Sequence, residues 1–350
     1  MKELVIGNLV AKVPIIQGGM GVGISLHRLA SAVAREGGIG VISAAQPGFR
    51  EPDFATNVRE ANMRALTREI KLAKEQANGG IIGVNIMVAM KGYEDFVRCS
   101  INAGADIIIS GAGLPMDLPK IAAGSDVKLA PIVSSAKAAK VILSRWAKQT
   151  DRTADLVVIE GPKAGGHLGF KADEVADYTD EMMDEEIKKI IEVVKEFGAK
   201  YNKKIPVVFG GGVYTREDID HCLSLGLDGV QMATRFVATE ECDADINFKL
   251  AYINAKKEDI QIVKSPVGMP GRAIRNNFIR RTENGKDPIE RCYGCLARCN
   301  PAEIPYCISQ ALFKAANGDT DNALLFCGEN AYRVNKMSTV KEIFDELTKE

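Results

Sequence analysis

Short runs of β-branched apolar residues recur along this chain, each followed by a turn and then by apolar residues at every third or fourth position. The runs fall at 13–17, 39–43, 81–86, 106–110, 128–133, 155–160, 205–210 and 228–232, and they predict eight strands. Nearly continuous apolar segments such as LVVIE (156–160) and IPVVFG (205–210) suit strands buried on both faces. That is the situation in parallel sheets, whose strands are joined by crossover helices. The intervening segments supply those helices. LHRLASAVAREG (26–37), KAAKVILSRWAKQ (137–149), EEIKKIIEVVKEFG (185–198) and TREDIDHCLSLG (215–226) all carry helical periodicity, and several end at glycine.

Eight alternating units predict an α/β protein built as a closed (β/α)8 TIM barrel, with an open doubly wound sheet as the alternative. Two insertions disturb the period. Residues 46–79 read mostly as one charged helical stretch. The segment after Arg235 contains the Gly/Pro-rich SPVGMPGR (265–272) and four closely spaced cysteines, and it is expected to form a small helical cap. The division that follows is a barrel over 1–256, a cysteine-containing helical cap over 257–320, and a C-terminal helical segment over 321–350 that packs on the barrel.

Composition narrows the function classes. Apolar residues at 46% and charged residues at 26% are ordinary globular proportions, which argues against disorder or a fibrous repeat. The 45 Lys and Arg against 46 Asp and Glu leave a net charge of -1, so no global field draws the chain to nucleic acid or to an anionic membrane. The N-terminal MKELVIGNLVAKVPIIQ does not read as a signal peptide, and no apolar stretch is long enough to span a bilayer. A cytoplasmic location is expected, and the eight cysteines are then read as thiols or metal ligands.

In a barrel of this kind the loops after the strand C-terminal ends build the site. After the first strand comes Gly18-Gly19-Met20-Gly21, where absent Cβ atoms allow close backbone approach to a flat ligand. After the seventh stands Gly210-Gly211-Gly212, with Thr215 placed to cap the next helix, and the eighth runs Gln231-Met232-Ala233-Thr234. Loops seven and eight are where barrels commonly hold a phosphate. The sixth strand ends at Glu160 and continues through Gly165 and Gly166 to His167, the only histidine in a glycine-rich loop after a strand. An imidazole there suits proton exchange. His27 and His221 lie in helical patterns and read as surface or packing residues.

The ordered motifs PIIQGGMG, GVNIM, KAGGHLG, FGGGV and DGVQMATRF resemble the nitronate monooxygenase family, formerly called 2-nitropropane dioxygenases, and its relative the FMN-dependent enoyl-ACP reductase II. The resemblance extends through SPVGMPGRAI to the late FCGENAYRV. It implies an FMN-binding barrel with His167 as the catalytic histidine. It further implies that Gly19 and Met20 lie against the isoalloxazine, that Asn85 bonds its polar edge, and that Gly211, Gly212, Ala233 and Thr234 hold the phosphate. Gly18, Glu160, Gly165, Gly166 and Gln231 complete the expected cofactor set. The chain departs from the family at Lys163, where Glu is common, and at Ala233, where Gly is common.

The leading expectation is oxidation of alkyl nitronates or nitroalkanes to carbonyl compounds and nitrite. The alternatives are NAD(P)H-dependent reduction of an enoyl thioester, with acyl carrier protein as a partner, and a flavin redox sensor without turnover. A homodimer is one option, and the sequence leaves the oligomeric state open. Cys292, Cys295, Cys299 and Cys307, spaced C-x2-C-x3-C-x7-C, read as structural thiols, an iron–sulfur cluster or a zinc site. Cys99, Cys222, Cys242 and Cys327 read as buried small hydrophobes or incidental thiols. Arg272, Arg275, Arg280 and Arg281 read as a solvated helix face, or as a dock for a phosphorylated carrier or a nicotinamide cofactor.

Overall fold

The computed structural model describes residues 1–349. In chain order its strands are β1 (Leu4–Ile6), β2 (Leu9–Ala11), β3 (Ile15–Gln17), β4 (Ile39–Ser43), β5 (Ile81–Met87), β6 (Ile107–Gly111), β7 (Lys128–Val133), β8 (Val157–Glu160), β9 (Gly166–His167), β10 (Val207–Gly210), β11 (Gly229–Met232), β12 (Ile260–Lys264) and β13 (Pro270–Ile274). The eight strands β3 to β8, β10 and β11 close into a parallel barrel in the order β10-β11-β3-β4-β5-β6-β7-β8. The fold is a (β/α)8 TIM barrel, as the periodicity predicts.

Burial follows the two-residue period of each strand. Ile107 and Ile109 of β6 point into the barrel with Val41, Val158 and Val208, whereas Ile108 faces outward into the layer of helices with Ile142 and Leu143. Five of the runs start one or two residues later as strands than their sequence suggests, and in three of them an aspartate occupies the start. Asp106, Asp155 and Asp228 use their carboxylates to accept the N–H groups of Ile82, Leu129 and Val207 on the neighbouring strand, at 2.8, 2.9 and 2.9 Å. The same structural device recurs three times at the N-terminal end of the barrel.

The first element was not legible in the apolar pattern. Residues 4–11 form the antiparallel hairpin β1–β2, whose Leu4, Ile6 and Ala11 join the barrel-interior cluster and plug its N-terminal end. The 46–79 segment carries a helix at Val58–Gln76, but it opens with turns that place Phe49 and Phe54 against Phe313 of the cap, with ring centroids 5.5 Å apart in both pairs.

The 257–320 segment is helical only in part, at Asn277–Asn284 and Ile308–Ala316. It also holds a 3-10 turn at Lys257–Asp259 and the ribbon of β12 and β13, and β13 pairs antiparallel with β9 to make a three-stranded sheet at the barrel mouth. Two-residue alternation is weak in SPVGMPGRAI, so the pairing partner had to come from the tertiary fold. The cysteine-rich loop also docks at the mouth, through Lys91 N–H to Cys295 O at 3.1 Å and Ala297 N–H to Ala89 O at 2.9 Å. The C-terminal helix Val340–Thr348 buries Val340, Ile343, Phe344 and Leu347 in the outer layer of the barrel.

Candidate active site

The C-terminal ends of the barrel strands surround a cavity of about 260 Å³. Every residue of the expected cofactor set lines it: Gly18, Gly19, Met20, Asn85, Glu160, Gly165, Gly166, Gly211, Gly212, Gln231, Ala233 and Thr234, together with His167. Glycine is required at several of these positions by space as well as by conformation. A Cβ on Gly19 would stand 2.4 Å from Cβ of Asn85, and one on Gly165 would stand 2.7 Å from the backbone of Cys327. Gly211 and Gly212 adopt φ of +134° and +90°, a region that L side chains rarely enter.

Helix starts frame the loops after β10 and β11. Thr215 caps the helix Arg216–Ser224, its hydroxyl accepting from Asp218 N–H at 3.3 Å while the Asp218 carboxylate accepts from Tyr214 and Thr215 N–H at 2.8 Å each. The cap assigned to Thr215 from sequence is thus formed. Thr234 opens the short helix Thr234–Val237 directly after β11.

Among the ionisable side chains that line the cavity, burial moves Glu160 and His167 in opposite directions. Glu160 ends β8, and its carboxylate accepts only the N–H of Gly169, at 3.1 Å; desolvation raises its pKa to about 7 against that bond. His167 is depressed to about 4 by burial, so its imidazole is neutral at neutral pH. Its Nε2 lies 2.7 Å from Ser265 Oγ, and Phe326 packs edge-on against the ring with centroids 4.9 Å apart.

The C-terminal return over 325–330 forms a cavity wall that strand and loop patterns did not reveal. Cys327 N–H donates to Arg272 O at 3.0 Å, Glu329 N–H to Lys163 O at 3.2 Å, and Asn330 Nδ2 to Gly212 O at 2.6 Å. Tyr252 supports it from behind, donating its hydroxyl to Phe326 O at 2.6 Å. The string FCGEN was the available signal, but nothing in its periodicity pointed to the barrel mouth.

Other candidates are placed elsewhere. His27 pairs through Nδ1 with Glu69 at 2.5 Å at the start of the helix His27–Arg35, and His221 pairs with Asp184 at 3.0 Å, so both are structural. Lys163 lines the cavity, but its ammonium is 2.6 Å from Asp180, which offsets much of its charge.

The four arginines do not form one patch. Arg272 is buried and donates to Ala164 O, Arg275 pairs with Glu283 at 3.3 Å, Arg280 bonds Asn277 at 2.8 Å, and Arg281 lies 3.4 Å from Asp287. Among the described residues no group of three or more His, Cys, Asp or Glu side chains is placed to hold a metal. Cys292, Cys295, Cys299 and Cys307 are free cysteines, the first and third of them exposed. Of the readings open to these four, the cluster and the zinc site find no such group among the described residues.

A family model described as nitronate monooxygenase matches residues 2–350. The chain belongs to the nitronate monooxygenase family. A probable nitronate monooxygenase of Staphylococcus aureus strain Newman is 26% identical over 289 residues, covering 76% of this chain and 76% of that protein. A (3aS,4S,5R,7aS)-5-hydroxy-7a-methyl-1-oxo-octahydro-1H-indene-4-carboxyl-CoA dehydrogenase of Mycobacterium tuberculosis is 24% identical over 272 residues and 78% of this chain. The match spans 66% of that dehydrogenase, a little under two thirds of its length. Among solved structures, FabK from Thermotoga maritima superposes with a TM-score of 0.72 at 24% identity, covering 96% of this chain and 91% of that one. A nitroalkane oxidase from Streptomyces ansochromogenes does so with a TM-score of 0.72 at 20% identity, covering 96% and 94%. These two likenesses speak to the fold that the nitronate monooxygenase family shares with them.

Proposed function

We propose that this chain is an FMN-dependent oxidoreductase that oxidises alkyl nitronates, or the nitroalkanes that give rise to them, to carbonyl compounds and nitrite with dioxygen as co-substrate. The observation that carries the reading is the single cavity in which a glycine-backbone wall, two loops suited to phosphate and His167 meet. Family membership supports it.

The residues present fit a flavin mononucleotide. Gly19 and Gly165 cannot carry a Cβ, which would collide with Asn85 and with the Cys327 backbone, so bare backbone lines the cavity at both positions and a planar ring can approach it closely. Gly211, Gly212, Ala233 and Thr234 would hold the phosphate through backbone N–H groups and the start of the helix Thr234–Val237. Ala233 serves this role as well as glycine, since its backbone N–H is the group used. Bound there, FMN would supply the electron-accepting ring. Asn85 would bond the ring's polar edge, and Met20 would pack on its face. His167, neutral and desolvated, would either donate a hydrogen bond to an anionic nitronate or take the α-proton of a neutral nitroalkane.

A second reading is reduction of an enoyl thioester by NAD(P)H, with hydride passing to the β-carbon and an acyl carrier protein or coenzyme A holding the substrate. The name of the Mycobacterium tuberculosis relative, a CoA-thioester dehydrogenase, favours it. The pairing of Arg275 with Glu283 and of Arg281 with Asp287 weighs against a carrier dock on that face.

One experiment separates the readings. The released cofactor is identified by chromatography, and the flavoprotein is then mixed anaerobically with a nitronate, NADH or NADPH while flavin absorbance is followed. FMN with rapid bleaching by the nitronate is expected. Bleaching by NADH or NADPH alone would transfer the assignment to the reductase, bleaching by none of them would point to a non-catalytic flavoprotein, and recovery of FAD would overturn the phosphate assignment.

A further inference from the structure

The loop between β12 and β13 brings a hydroxyl group to the histidine of the cavity. β13 pairs with β9 so that Gly271 lies opposite His167 and Arg272 opposite Gly166, and Leu168 N–H extends the pairing to Pro270 O at 2.8 Å. This annealing places Ser265, the residue after β12, with its Oγ 2.7 Å from His167 Nε2. Phe326 lies edge-on to the ring at 67° and limits its rotation.

The direction of the proton follows from counting donors and acceptors. Ser265 Oγ already accepts the N–H of Val267 at 3.3 Å, and a hydroxyl has one proton to give and two lone pairs. If Nε2 carried the ring proton, it would fill the second lone pair, and the hydroxyl hydrogen would find no acceptor among the described residues. If Nε2 is bare, the hydroxyl donates to it, and both Ser265 Oγ and Nε2 are satisfied within the protein without recourse to water. A neutral imidazole with bare Nε2 carries its proton on Nδ1. That nitrogen is not sealed in protein. Thr153 Oγ1 is the one buried side-chain nitrogen or oxygen without a partner among the described residues, and His167 lines the cavity. Nδ1 therefore opens to the cavity.

We propose that Ser265 is a positioning residue that fixes His167 as the Nδ1–H tautomer, so that His167 meets the substrate as a hydrogen-bond donor to an oxyanion. This deepens the functional reading above and rests on it for the identity of the substrate. A donor at Nδ1 suits the oxygens of a preformed nitronate, whereas removing a proton from carbon would require a bare nitrogen facing the cavity. Between the two roles open to His167, the geometry therefore selects binding of the anion. Among substrates, it selects those that arrive already deprotonated.

The test combines tautomer and turnover in the flavin-loaded full chain. Nitrogen-15 spectra of histidine-labelled protein, assigned with His167→Gln, read which ring nitrogen bears the proton. The Nδ1–H form is expected in the wild type, a mixture of tautomers in Ser265→Ala, and recovery in Ser265→Thr. In kinetics, Ser265→Ala should raise KM for a preformed nitronate on the order of tenfold, with a smaller change in kcat and an unchanged melting temperature. An Nε2–H tautomer in the wild type, or an unaltered tautomer in Ser265→Ala, would overturn the proposal. If no nitronate reduces the flavin, the functional reading fails, while the spectra still decide the role of Ser265.

Discussion

The side-chain amide of Asn330 donates to the carbonyl oxygen of Gly212 at 2.6 Å, joining the last wall of the cavity to the glycine loop after β10. Gly212 sits at φ +90°, and a loop without side chains has few ways to hold one conformation. Asn330→Ala removes the tether without adding bulk. It should lower FMN affinity roughly 5–30-fold, the equivalent of about 1–2 kcal/mol for a lost hydrogen bond to a part-buried carbonyl. Fluorescence titration of apoprotein with FMN reads this directly, and an unchanged Kd would detach the C-terminal return from cofactor binding.

His167→Ala should retain FMN, since the phosphate loops are remote from the imidazole in sequence and draw on other strands. Turnover should fall by roughly the 10²–10⁴-fold that accompanies loss of a positioned proton-exchanging or donor group. Wild-type rates with both a nitronate and its parent nitroalkane would return His167 to a packing role.

Glu160 and His167 make opposite contributions to stability across the acid range. Unfolded Glu160 titrates near its ordinary value of 4.5, whereas the native group holds its proton to about 7. Its share of stability is thus full below 4.5 and is lost as pH rises toward 7. His167 has a native pKa near 4 against an ordinary 6.5, so its share is full above 6.5 and is lost as pH falls toward 4. Glu160→Gln keeps the acceptor for Gly169 and cannot ionise. In urea unfolding it should gain on the order of 3 kcal/mol over the wild type at about pH 8, and little at about pH 4. An identical difference at both pH values would show that ionisation of Glu160 is not the cause.

Asp155 at the N-terminal end of the barrel accepts Leu129 N–H at 2.9 Å and Lys203 Nζ at 2.9 Å, and lies 3.2 Å from Arg152. Asp155→Ala strands all three donors and should cost about 1–3 kcal/mol. Asp155→Asn keeps the acceptor for Leu129 and should recover part of the loss. FMN binding at the opposite end should be unaffected, and a fall in FMN affinity as large as the loss of stability would contradict this separation.

The barrel was legible because its strands are local objects. A run such as Ile39–Ser43 must be buried on both faces, and the β-branched residues that achieve this stand next to one another in the chain. The glycines and His167 were legible for a related reason, since a (β/α)8 barrel sends every post-strand loop to one mouth, and order along the chain therefore becomes proximity in space. Aspartates 106, 155 and 228 were read as strand residues. Their carboxylates in fact act across the sheet, which a one-dimensional pattern does not show.

What only the tertiary structure decided depends on partners far apart in sequence. Leu4 and Ile6 read as an unassigned apolar start until the barrel offered an open end to plug. Ser265 lies 98 residues from His167, and Asn330 lies 118 residues from Gly212. Neither β13 nor the 325–330 return has a periodicity that names its neighbour, because each is held largely by backbone hydrogen bonds, which carry little information about residue type. By itself the sequence determined the barrel, the mouth and the residue types around it. Folding decided which hydroxyl holds the imidazole, which amide steadies the glycine loop, and that one end of the chain plugs the barrel while the 325–330 return walls the cavity, since those contacts exist only once distant segments are packed together.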